Sequence, residues 1–208
     1  MSDQAFGVDV SHYHTVTDWA LLSANASFIG AKVSEGQNNV DHTFASHRDG
    51  FRSSGMAGAV YFHVARPGDP AAEAQRLASI VGPLQPNEKL ALDLERSAGV
   101  TGVDWIDRFF DALPGGAGVL YASRASWAIC CGASAPWARA KDTPLWIPEY
   151  GPILRGLPGP WSEYAIWQNS SSGQVPGVDC SNGGCDTDLF NGDLAALTAF
   201  FGGAPATT

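Results

Sequence analysis

Eight short apolar runs, separated along most of the chain by helical segments, limit what this sequence can fold into more than any other feature. They are AFGVDVS (5–11), SFIGAKVS (27–34), GAVYFHV (58–64), KLALDLE (89–95), AGVLYAS (117–123), PLWIPEY (144–150), YAIWQNS (164–170) and CDTDLF (185–190). Their length, branched and aromatic content and flanking turn residues mark strands. Helical spacing fills 17–25, 42–54, 70–81, 103–113, 124–131 and 194–201. The third helix is the best punctuated, with Asp69 as its cap, Pro70 at its first position and Gly82 just past its end. Strand–helix repetition predicts a mainly parallel sheet covered by helices, and eight strands predict closure into an irregular, TIM-barrel-like α/β fold, a (β/α) barrel. The gaps 151–163 and 171–184 are rich in Gly, Pro and Ser and too short for crossover helices, so the last strands are expected to run antiparallel.

With 208 residues, 45% of them hydrophobic, the chain can bury one sizeable core. A single catalytic domain is expected over 1–203, with 204–208 a disordered tail. The net charge of −9 and the lack of any Lys/Arg block exclude the electrostatic footprint of a nucleic-acid binder. No apolar run approaches the roughly 18 residues that span a bilayer, so membrane insertion is not expected, and the N-terminus reads without a signal peptide. The four cysteines form a vicinal pair, Cys130 and Cys131, and a spaced pair, Cys180 and Cys185. Their spacing fits no usual zinc pattern. It leaves open a short Cys180–Cys185 disulfide or four reduced thiols, and no metal or other cofactor is expected.

Acidic residues gather where such a barrel places its chemistry, at the C-terminal ends of the strands. In LALDLE, period-two alternation sets Leu90, Leu92 and Leu94 on one face and Ala91, Asp93 and Glu95 on the other. Two like charges behind a small alanine suit a cavity rather than a core. Asp9 ends the first strand, Asp186 and Asp188 lie on the last, and these two strands adjoin in a closed barrel. Lys32, Tyr61 and His63 lie on the second and third strands, where His63 reads as a satisfied, partly buried histidine. Clustered carboxyls suit glycosidic-bond hydrolysis, in which one stays protonated to serve the leaving oxygen while another stays ionised near the developing positive charge. Repulsion and desolvation push such pKa values apart. Glu95 is the candidate acid and Asp93 its charged partner. Tyr13, Tyr121, Trp146, Tyr150, Trp161 and Trp167 offer rings that stack on sugars, although Tyr121, Trp146 and Trp167 would serve barrel packing equally well.

Beyond these readings, the chain resembles glycoside hydrolase family 25, the Chalaropsis-type lysozymes or N-acetylmuramidases. FGVDVSHYHTVTDW (6–19) is similar to the family's Gly-x-Asp-x-Ser opening. AKVSEG (31–36), AGAVYFHVARPGD (57–69), LALDLE (90–95), LYAS (120–123), LWIPEYG (145–151), AIWQNSSSGQVPGVDC (165–180) and CDTDLFNGDL (185–194) follow in family order. The resemblance implies hydrolysis of the β-1,4 bond between N-acetylmuramic acid and N-acetylglucosamine in peptidoglycan. It assigns Glu95 as general acid/base, Asp93 as its partner, and Asp9 and Asp186 as the remaining acids. Lys32, Tyr61, Tyr121, Tyr150, Trp167 and Asp188 are expected to bind substrate, Asp188 standing where the family more often has asparagine. The nucleophile is either the substrate's own acetamido group or a directly activated water. A phage endolysin, made in the cytoplasm and acting as a monomer on glycan strands of the wall, fits best, and a secreted lysozyme is the other route. The chain departs from the family's Tyr-His-Phe at Tyr61-Phe62-His63, and Pro148 and Glu149 are unusual in their motif. A silent glycan-binding module on the same barrel and a metal amidase are the competing readings; five histidines offer the latter no clear ligand triad.

Overall fold

A computed structural model describes residues 4–95 and 99–202; the expected tail 204–208 lies outside the described residues. Nine strands make one sheet: β1 (Phe6–Val10), β2 (Phe28–Glu35), β3 (Asn39–Val40), β4 (Gly58–Val64), β5 (Glu88–Asp93), β6 (Val119–Tyr121), β7 (Leu145–Pro148), β8 (Ile166–Gly173) and β9 (Cys185–Phe190). Pairing of β1 with both β2 and β9 closes eight of them into a barrel, and β3 hangs on β2 as a short hairpin. The strands from β1 through β8 around the ring are parallel, while β9 runs antiparallel to both its neighbours. Of the two helix-poor gaps, only the second therefore reverses the chain. The first returns β8 parallel to β7 through an irregular loop.

Among the described residues six α-helices pack against this ring: α1 (Trp19–Asn25), α2 (Phe44–Ser54), α3 (Pro70–Val81), α4 (Gly102–Ala112), α5 (Arg124–Cys130) and α6 (Leu194–Phe200). Asp18, Asp69, Ser123 and Asp193 each accept a backbone N–H at a helix start, satisfying donors that a helix leaves orphaned.

The core has two shells. Between barrel and helices lie Leu90, Leu92, Leu94, Tyr61, Leu120, Ile147 and Trp167, joined by the buried face of α4, Trp105, Ile106, Phe109 and Phe110. Inside the barrel lie Phe28, Val60, Phe62, Val64, Ala91, Val119, Tyr121, Trp146, Ile166 and Phe190. Leu197 of α6 and Phe201 just beyond it join the inner shell. Gly30 makes room for this shell, because a Cβ there would lie 2.6 Å from both Asp9 Cβ and the Trp146 ring. With the apolar inner shell filling the barrel interior, the polar residues at the C-terminal strand ends face a cleft.

Candidate active site

Strand parity decides which side chains reach that end. On β1, Asp9 points inward opposite Asp186 of β9, its direct cross-strand partner. On β5, Leu90 and Leu92 turn to the helices, and Ala91 and Asp93 turn inward. The strand stops at Asp93, so Glu95 stands on the turn beyond it, exposed, with its backbone N–H donating to Asp93 Oδ1 at 2.7 Å. Asp9, Asp93, Glu95, Asp186, Lys32, Tyr121 and Tyr150 all line one cleft of about 380 Å³.

Gln168 organises the floor. Its Nε2 donates to Asp9 Oδ2 at 2.8 Å, and its Oε1 accepts from Tyr121 Oη at 2.9 Å and Tyr150 Oη at 3.3 Å. Trp146 crosses beneath and donates its indole N–H to Asp188 Oδ1 at 2.7 Å. One wall is a charged chain: Lys32 Nζ meets Glu35 Oε2 at 2.7 Å, and Arg66 pairs with the other Glu35 oxygen. The loop after β1 adds His12, Tyr13 and His14. His12 donates to Asp41 Oδ2 from both its backbone N–H and Nδ1, and His14 Nε2 donates to the Gly184 carbonyl.

Burial dominates the electrostatics. It carries Asp9 well above the usual carboxylate range, helped by the charges of Asp188 and Asp186. Asp93 is raised for the same first reason, and the Glu95 charge adds to it while the Glu95 N–H and Lys32 oppose it. Asp186 is raised by burial, with His14 drawing it back. Burial also lifts the Tyr121 hydroxyl, with Asp93 and Asp9 adding to it, and pushes Tyr150 up to about 12, so both phenols stay hydrogen-bond donors. The cleft thus holds several carboxyls with increased proton affinity beside an exposed one, the division of labour that acid-assisted cleavage of an acetal needs.

Three expected substrate contacts lie elsewhere. Tyr61 faces outward and is fully buried under α2 against Phe44 and Phe51, with its hydroxyl donating to Glu88 Oε1 at 2.8 Å. Phe62 takes the cleft position instead. Trp167 also faces outward and donates its indole N–H to the Glu149 carbonyl. Asp188 points inward but sits fully buried and is not among the cleft-lining residues. Parity is hard to read in these strands because they are covered on both faces and carry apolar residues at both.

His63 proves structural: Ser34 Oγ meets its Nδ1 at 2.8 Å, and its Nε2 donates to Glu73 Oε2 at 2.8 Å. The three residues mimic a hydrolase triad, yet each is fully buried. Gln168, Glu35 and Arg66 escaped the sequence reading. For Gln168 a signal existed, a polar amide inside an apolar strand, which implies a buried partner. Cys180 and Cys185 form a disulfide directly before Asp186, and Cys130 and Cys131 are free.

Residues 8–178 match the model of the family described as Glycosyl hydrolases family 25. The chain is 29% identical to Lysozyme M1 of Streptomyces globisporus over 93% of its own length and 70% of that protein's. It is 28% identical to the N,O-diacetylmuramidase of Chalaropsis sp over 80% of its length and 88% of that protein's. The crystal structure of a bacterial lysozyme from Streptomyces coelicolor superimposes with a TM-score of 0.83 at 27% identity, covering 96% of this chain and 97% of that one. A match across most of the chain, on a barrel whose acids meet in one cleft, places this protein in glycosyl hydrolase family 25.

Proposed function

We propose that this protein is an N-acetylmuramidase, cleaving the β-1,4 bond between N-acetylmuramic acid and N-acetylglucosamine in peptidoglycan. The observation that carries this reading is the convergence of Asp9, Asp93, Glu95 and Asp186 on one cleft rimmed by Tyr13 and Tyr150. The names of the lysozyme and diacetylmuramidase relatives support the substrate class. In this reading 1–203 is a single catalytic domain working as a monomer on glycan strands of the wall. No described helix is long and apolar enough to cross a membrane.

Glu95 delivers a proton to the leaving oxygen, and Asp93 works through it. In the free enzyme, burial and the adjacent Glu95 charge favour a proton on Asp93. A substrate acetamido N–H donating to Asp93 turns the acetamido oxygen toward the anomeric carbon and aligns the internal nucleophile beside Glu95. Tyr121 and Tyr150, both kept protonated, offer hydroxyls to the sugar rim.

The test is mass spectrometry of digested peptidoglycan together with reducing-sugar release. Wild type yields products with a muramic acid reducing end, and Glu95→Gln loses about 10²- to 10⁴-fold in kcat, the usual worth of a positioned acid. Saturable binding without any glycan product would sink the reading.

A further inference from the structure

We propose that Asp9 and Asp188 share a proton beneath the cleft floor, so that Asp9 meets the substrate as a neutral acid and Asp188 is the positioning residue that keeps it so. Asp188 is completely buried, and one of its oxygens is occupied by the Trp146 indole N–H. Its other oxygen, Oδ2, has no donor among the described residues, a costly state for a buried carboxylate. The Asp188 side chain is in hydrogen-bonding contact with the Asp9 carboxyl. Two carboxyl groups in contact form a hydrogen bond only when one of them carries a proton. Asp9 is itself tied at Oδ2 by Gln168, which leaves its other oxygen to hold that proton.

Burial raises both acids above the ordinary carboxylate range, in keeping with a pair that resists double ionisation. The charged and titratable groups that line the cleft with Asp9 are Asp186 on β9, Asp93 and Glu95 on and after β5, Tyr121 on β6, Tyr150 after β7, Lys32 and Glu35 on β2, Arg66 after β4, and His12, Tyr13 and His14 after β1. Acids predominate among them, which further disfavours a second negative charge on the pair. The consequence for catalysis rests on the muramidase reading: a neutral Asp9 keeps one anion fewer beside Asp93 and Glu95, and activity falls at alkaline pH as the shared proton is lost.

Infrared titration of the free enzyme tests the shared proton without reference to turnover. Wild type should keep a protonated-carboxyl band at pH 7 that is larger, by one carboxyl's worth, than in Asp188→Asn, where the introduced amide oxygen still accepts from Trp146. The alkaline limb of kcat/KM should move to lower pH by a unit or more in that variant, with kcat/KM at pH 7 down at least tenfold. An unchanged band, or a loss of activity uniform across pH, overturns the proposal. If Asp188→Asn fails to fold, Asp9→Asn decides: the band falls if the proton was shared and persists if it was not. Absence of glycan products from wild type would instead refute the muramidase reading and leave the spectra to stand alone.

Discussion

Gln168 joins three groups of the cleft floor: the buried Asp9 carboxyl, the buried Tyr121 hydroxyl and the hydroxyl of the exposed Tyr150. Replacing it with leucine takes a hydrogen bond from each of the two buried groups, at about 1–3 kcal/mol apiece. Gln168→Leu should therefore melt earlier and lose at least tenfold in kcat/KM, read by calorimetry and reducing-sugar release. Tyr61 makes the opposite case. Its hydroxyl serves Glu88 on the far side of the barrel wall, so Tyr61→Phe should lower stability by about 1 kcal/mol and leave kcat and KM within twofold of wild type. A large rise in KM in that variant would return Tyr61 to the cleft.

Among the elements, β5 was readable because its charges break the apolar pattern: acids at alternate positions show which face is wet. β4 was not, since Val60, Tyr61, Phe62, His63 and Val64 are all buried and a strand covered on both sides has no polar face to betray its parity. The two-residue β3 left no periodicity to detect, and the loop between β7 and β8 returned a parallel strand without the helix that usually makes such a crossover. Leu92 belongs to the readable face, wholly buried between barrel and helices. Leu92→Ala should cost about 2–5 kcal/mol in denaturant titration while the folded fraction keeps its kcat. Glu88, at the start of β5, is desolvated, yet bonds from Arg52, the Gln85 N–H and Tyr61 hold its pKa below the ordinary value. A depressed carboxyl stabilises the fold above its unfolded pKa of about 4.3, and that stability is lost as pH falls through the folded value. Glu88→Gln should flatten the acid side of the Tm profile. The pair at Asp9 and Asp188 has the reverse sign: its stabilisation is complete below about pH 4 and is lost as pH rises through the raised values.

For the protein as a single object, the net charge of −9 opposes binding to an anionic wall, so the cleft has to supply the grip. Moderate salt should lower KM on whole walls by screening that repulsion, while KM on short neutral glycans stays flat. The Cys180–Cys185 disulfide closes a short loop immediately ahead of Asp186, and its reduction should cost about 2 kcal/mol in the chain-entropy picture. The order in which the ring is assembled has a further consequence. Its closing strand, β9, is the last in sequence, and it lies between β8 and β1, the first. Asp9 is therefore synthesised ahead of its cross-strand neighbours and meets Asp186 and Asp188 only once β9 has been made and has closed the ring. The fourth acid of the cleft thus arrives with the strand that seals the barrel, so closure of the fold and completion of the acid cluster are one event.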